Sequence, residues 1–221
     1  ESTIRRDLKK ISQKNLIERT HGGAIKKTMS TSFEPLPGEK RCKNLNEKKY
    51  IADICDKFIL DGESIILDAG STNYFIAQKL INKNNITLIT VDLRIALKTK
   101  LKSNSNLVVP GGRRREDYEV LVGTKVENFI KDISVDKAFI GADAVSIENG
   151  ITNATFPEVG IKKEMIKSAK ESFLVADHTK FGSSSLVKVV ELEEIDYVIT
   201  DKKIEPGVLE DLEKIGIWIE N

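Results

Sequence analysis

The chain has 221 residues, of which 40% are hydrophobic and 31% charged, and a formal net charge of +1. That length suits one sizeable domain with a real core plus a smaller piece, and no apolar run approaches the roughly 20 residues that span a bilayer, which argues against membrane insertion. Cys42, Cys55, His21 and His178 show neither metal-ligand spacing nor a disulfide framework, so no metal and no cofactor are expected; without a targeting motif the expected location is cytoplasmic.

The net charge conceals an asymmetry. Residues 1–27 carry eight Lys or Arg against three acidic residues, which leaves 27 basic and 31 acidic residues for the remainder. A basic head on a mildly acidic body suits a nucleic-acid reader tethered to a part that does not itself adhere to the polyanion. Within residues 1–15, Ile4, Leu8 and Ile11 recur at helical spacing while Arg5, Arg6, Lys9 and Lys10 fall largely on the other side. Two short strands, 16–20 and 24–27, are expected around His21-Gly22-Gly23. A basic helix face alone is more often solvated surface, but a basic helix followed by such a wing fits a DNA-docking geometry. That geometry needs a preceding helix to brace the reader, so the head reads as the second half of a truncated module.

Residues 28–45, with Pro35, Pro37 and Gly38 among polar neighbours, read as a linker. Asn46 is the expected cap of a helix running to residue 59, with Tyr50, Ile51, Ile54 and Phe58 on its apolar side and Cys55 in the same core. Strands are expected over 64–67, 86–91, 107–109, 136–140, 172–176, 196–200 and 216–219, and helices over 72–82, 93–102, 124–131, 158–170 and 206–214. Short apolar runs alternating with helices predict an α/β fold with a mainly parallel sheet covered by helices on both faces. In such sheets ligands sit beyond the carboxyl ends of the strands, which directs attention to the residues just after each one.

The first strand runs into Asp68-Ala69-Gly70-Ser71-Thr72-Asn73, where a helix begins. Gly70 permits close backbone approach, and the free N–H groups of the helix start together with Ser71 and Thr72 suit an anion. The loop has no lysine and no nucleotide-binding pattern. The other strand ends supply Thr90-Val91-Asp92, Gly111-Gly112-Arg113-Arg114-Arg115, Gly141-Ala142-Asp143, and Ala176-Asp177-His178-Thr179-Lys180. Asp143 and Asp177 suit sugar hydroxyls and Lys180 a phosphate, whereas the run Arg113 to Arg115 reads as solvated loop. Each feature alone is ordinary turn chemistry; their shared location makes a site.

TIRRDL…R.HGGA in the head, followed in order by D-A-G-S-T, G-G, G-A-D-A-V, P-E-V…K-K-E-M and A-D-H-T-K-F-G, resembles the DeoR family of bacterial sugar-responsive transcriptional regulators. The resemblance implies a truncated winged helix-turn-helix over residues 1–27, a linker over 28–45, and over 46–221 an effector domain related in fold to ribose-5-phosphate isomerase. It implies a repressor of sugar-metabolism genes with two partners, a double-stranded DNA operator and a phosphorylated sugar, in a homo-oligomer. The implied effector pocket comprises Asp68, Gly70, Ser71, Thr72, Gly111, Gly112, Asp143, Glu158, Lys162, Asp177 and Lys180, with Ser71, Thr72 and Lys180 on the phosphate. Where members commonly have T-N-S, this chain has Thr90-Val91-Asp92, so Asp92 either reads a hydroxyl or pairs with Arg94. Thr3, Arg5, Arg6, Lys9, Lys10, His21 and Lys26 are the implied DNA contacts.

The competing reading is a sugar-phosphate isomerase, which needs a carboxylate to move a proton and a cation to stabilise the enediolate. Isomerases of this fold resemble G-A-D-E, then K-G-G-G, then R-E-K. This chain has Gly141-Ala142-Asp143-Ala144, Asn149-Gly150-Ile151-Thr152 and Lys162-Lys163-Glu164. The acid after Asp143 and the lysine before the glycines are gone, leaving Glu158 and Glu164 as the possible bases, so no enzymatic activity is expected. A third reading makes the body an oligomerisation module that senses nothing.

Overall fold

The computed structural model describes residues 4, 8, 17–20, 23–26 and 30–221. Strands β1 (Ile17–Thr20) and β2 (Gly23–Lys26) pair antiparallel, with Thr20 opposite Gly23. This is the hairpin expected at the wing. Ile4 and Leu8 are helical, but Ile4, expected on the packing side, is exposed among the described residues. Thr3, Arg5, Arg6, Lys9, Lys10 and His21 lie outside the described residues, and Lys26 closes β2.

The expected linker contains a helix, α1 (Pro37–Cys42). Pro37 occupies the first turn, where its missing N–H costs nothing and its fixed φ favours the helix. Lys40 and Arg41 in the last turn complement the dipole. The expected cap at Asn46 is also displaced. Helix α2 (Leu45–Phe58) starts earlier, after Asn44, whose backbone is left-handed at φ 51 and whose side chain makes no cap bond.

From there the chain alternates. In order come β3 (Ser64–Leu67), α3 (Ser71–Lys79), β4 (Thr87–Thr90), α4 (Leu93–Lys98), β5 (Asn106–Val108), the short pair β6 (Arg113–Arg114) and β7 (Leu121–Val122), then α5 (Thr124–Lys131) and β8 (Val135–Ile140). After β9 (Ala144–Ser146) and β10 (Gly150–Asn153) follow α6 (Val159–Ser168), β11 (Ala169–Val175), β12 (Val187–Val190), β13 (Tyr197–Ile199), α7 (Pro206–Lys214) and β14 (Trp218–Glu220). Seven strands form the main sheet in the order β14-β13-β11-β8-β3-β4-β5, with every neighbouring pair parallel. The strands β12, β10 and β9 form an antiparallel satellite sheet.

Helices cover both faces of the main sheet, which is why its strands read as unbroken apolar runs. Ile65 and Leu67 turn to the side of α2 and α3, where Cys55 is fully buried with Phe139 and Phe173. Ile66, Ala138, Ile140 and Leu174 turn to the other side, against Val126 of α5, Ile161 and Met165 of α6 and Leu212 of α7. The rings of Phe139, Phe173 and Tyr197 stack across β8, β11 and β13 with centroids 4.8 and 4.6 Å apart. Among the described residues no helix is long and apolar enough to cross a membrane.

The connectivity fixes where a ligand can sit. The chain runs outward from β3 to β4 and β5, then returns to β8 on the other side of β3 and continues to β11, β13 and β14. The direction reverses between β3 and β8. Loops leaving those two strands diverge to opposite faces and open a crevice at their carboxyl ends.

Candidate functional site

A cavity of about 880 Å³ fills that crevice, lined among others by Gly70, Ser71, Thr72, Asp143, Glu158, Lys162, Asp177 and Lys180. Eight of the twelve effector residues expected from the sequence thus share one space.

Its floor is a buried ion pair. Asp68 follows β3 and is 1% exposed; it accepts the Gly141 N–H at 2.9 Å and pairs with Lys162, whose ammonium also donates to the Gly141 carbonyl at 2.9 Å. Burial alone would pull the Lys162 ammonium down, but Asp68 and Glu158 outweigh it and hold it above the ordinary lysine value. Asp68 therefore ties the end of β3 to the end of β8 from beneath the cavity, which it does not line. Above it the chain turns at Gly70, whose φ of 143° lies where side chains are strained, and α3 begins. The first N–H groups of α3 have no intrahelical partner, and Ser71 and Thr72 stand beside them on the cavity wall.

Three charged groups of the wall are engaged. Asp143 takes the Ala154 N–H at 3.0 Å and Lys40 at 2.8 Å; burial works to raise its pKa, yet Lys40 holds it below the ordinary value. Asp177 accepts from Asn44 at 2.9 Å and from the Thr179 N–H at 3.1 Å. Glu158 pairs with Arg115 at 2.5 Å, and burial still leaves its carboxyl raised. Lys180 differs. Among the described residues its ammonium has no hydrogen-bond or ion-pair partner, and burial lowers its pKa against the pull of Asp143. This is a cation held at the cavity with capacity to spare.

Three expected residues lie elsewhere. Asp92 caps α4, accepting the N–H groups of Arg94 at 2.8 Å and Ile95 at 3.0 Å, and it steadies the turn by accepting the Gly70 N–H at 3.2 Å. It lines only a smaller space of about 70 Å³ next to the main cavity, with Arg94 at 3.6 Å. Gly111 and Gly112 line neither. A Cβ on Gly112 would stand 2.6 Å from Val126 Cγ2 and 3.1 Å from the Val122 carbonyl, so this glycine serves the packing of the chain on α5.

The family described as "DeoR C terminal sensor domain" matches residues 43–202, and "DeoR-like helix-turn-helix domain" matches residues 1–29. The chain belongs to the DeoR family. It is similar to the HTH-type transcriptional regulator GlpR of Haloferax volcanii, 34% identical over 99% of this chain and 85% of that protein, and to the HTH-type transcriptional repressor GlcR of Bacillus subtilis, 35% identical over 97% and 82%. Among solved structures it resembles ribose 5-phosphate isomerase A from Methanocaldococcus jannaschii, with a TM-score of 0.46 and 20% identity over 63% of this chain and 55% of that one.

The DeoR chain is thus a transcriptional regulator rather than an enzyme. Of the two glutamates that the isomerase reading left as possible bases, Glu158 is engaged by Arg115, while Glu164 turns to Lys167 at 3.3 Å and does not line the cavity. What the sequence did not reveal is the contribution of residues 30–48. Glu34, Lys40, Asn44 and Lys48 all line the cavity. Glu34, Lys40 and Asn44 sit in the stretch 28–45, whose prolines suggested only a linker, and Lys48 in the helix expected after it; their partners lie up to 133 positions away. Arg115, read as solvated loop, is also drawn in, clamped between Glu34 and Glu158. Asn153 is a further lining residue with no sequence signal; it is buried, and its Oδ1 has no partner.

Proposed function

We propose that this regulator represses genes of sugar metabolism and that the crevice between β3 and β8 takes a phosphorylated sugar. The observation that carries the reading is the juxtaposition, in one cavity, of the open start of α3 with Ser71 and Thr72 and of Lys180, unpartnered among the described residues. Free N–H groups at a helix start and one available ammonium recognise a phosphate. Asp143 and Asp177, each with acceptor capacity beyond its present partners, serve hydroxyls. Asp68, Lys162 and Asp92 frame the site, and Gly70 gives the turn its shape.

The DNA-reading part is residues 1–27, with Arg5 and Arg6 on bases or phosphates, Lys9, Lys10 and Lys26 mainly on phosphates, and Thr3 and His21 as further DNA contacts. It acts in the cytoplasm on a double-stranded operator, as a homo-oligomer whose paired heads match paired half-sites. Residues 28–45 join it to the sensor, residues 46–221. Operator affinity changes in the presence of the cognate sugar phosphate; indifference to every sugar phosphate removes the coupling.

A further inference from the structure

We propose that residues 30–44 form a wall of the effector cavity and that Lys40, on α1, is the group through which an anionic ligand clamps this segment to the sensor. This rests on the phosphosugar reading and extends it to the way the ligand is felt outside the cavity.

The segment is built in. Leu186 donates to the Thr31 carbonyl at 3.0 Å, and Asn44 reaches Asp177 at 2.9 Å. Lys48, 4% exposed, donates to the carbonyls of Lys40 and Lys43, both at 2.5 Å, and so ties down the end of α1. Glu34 is more telling. Its side chain is 9% exposed, and its carboxylate is held by Arg115, by Lys40 at 2.9 Å and by the Thr155 hydroxyl at 3.4 Å. A passive connector has no reason to bury a carboxylate, since desolvation opposes it unless partners are supplied. Here Arg115 and Thr155 of the sensor and Lys40 of the segment supply them.

Lys40 is the hinge of this arrangement. Its ammonium bridges Glu34 of the segment and Asp143 of the sensor, at 2.9 and 2.8 Å. An ammonium has three donors, so two contacts leave one for a ligand, and Lys40 lines the same cavity as Ser71, Thr72 and Lys180. A phosphate held by those three and by Lys40 touches both the sensor and the segment. A ligand that contacts both binds the docked arrangement better than any undocked one and shifts the population toward it. The segment connects the two regions matched by the family, residues 1–29 and 43–202, so clamping it constrains the chain leading to the hairpin.

The test uses the whole chain and a panel of glucose 6-phosphate, fructose 6-phosphate, ribose 5-phosphate and inorganic phosphate. Calorimetric titration gives affinities for wild type, Lys40→Met and, as control, Arg41→Met, whose guanidinium meets Glu119 at the surface. Glutamyl endopeptidase cleavage after Glu39 is followed with and without the tightest binder. The clamp predicts that ligand slows cleavage of wild type and of Arg41→Met. It also predicts that Lys40→Met binds about tenfold more weakly, the loss of one charged hydrogen bond, and gains no protection. Lys40→Met with wild-type affinity and protection overturns the clamp while sparing the phosphosugar reading. A wild type that binds nothing in the panel overturns both. Should Lys40→Met lose its cooperative unfolding, wild-type protection decides alone, and its absence overturns the clamp.

Discussion

Asp68 and Lys180 stand just past two strands of the same sheet and do opposite work. Asp68 is sealed under the cavity with Lys162, each satisfying the other and both holding Gly141. Replacing it with Asn leaves a buried ammonium short of its counter-charge, and breaking one side of a buried pair costs about 3–5 kcal/mol. Urea unfolding of Asp68→Asn should show a loss of that size; unchanged stability removes the framing role. Lys180 has no hydrogen-bond or ion-pair partner among the described residues, and burial lowers its pKa against the pull of Asp143, so its charge costs the fold more than it returns. Lys180→Met should therefore keep or raise the thermal midpoint while weakening sugar-phosphate binding by about tenfold or more, as loss of a charged hydrogen bond demands. A variant with wild-type affinity takes Lys180 out of the phosphate site. The acids at the strand ends were legible in the sequence because the topology rule names their positions. Their partners were not: Asn44 meets Asp177 across 133 positions and Lys40 meets Asp143 across 103, and no local pattern encodes either contact.

Elements with a clear period and a clear boundary could be read directly. Helices over 124–131 and 206–214 and the strand over 64–67 match α5, α7 and β3 residue for residue. Helix α1 was hidden because Pro37 and Gly38 read as breakers, although proline starts a helix as readily as it stops one. The strands β9, β10 and β12 have three or four residues each, too few to display alternation. Gly111 and Gly112 were expected in the effector pocket, whereas at Gly112 the close approach is to Val126 of α5. Gly112→Ala should accordingly cost about 1–3 kcal/mol by overpacking and leave ligand affinity unchanged, whereas a selective loss of ligand affinity would return the pair to the site.

The basic head and the mildly acidic body coincide with the helix-turn-helix and sensor regions that the family matches. Arg5→Ala and Arg6→Ala should weaken operator binding and flatten its salt dependence by about one counterion per lost phosphate contact, with sugar-phosphate affinity intact. Unchanged DNA affinity in both variants removes the recognition-helix assignment. Thermal unfolding of this chain against sugar phosphates, their parent sugars and inorganic phosphate decides whether the cavity between β3 and β8 takes a phosphorylated sugar. At a ligand concentration near 100 Kd, stabilisation should reach about 2.7 kcal/mol, a rise of several degrees for a chain of this size. A selective rise with one phosphorylated sugar, not matched by its parent sugar and recovered unconverted, is the predicted result; no shift with any phosphorylated compound contradicts it.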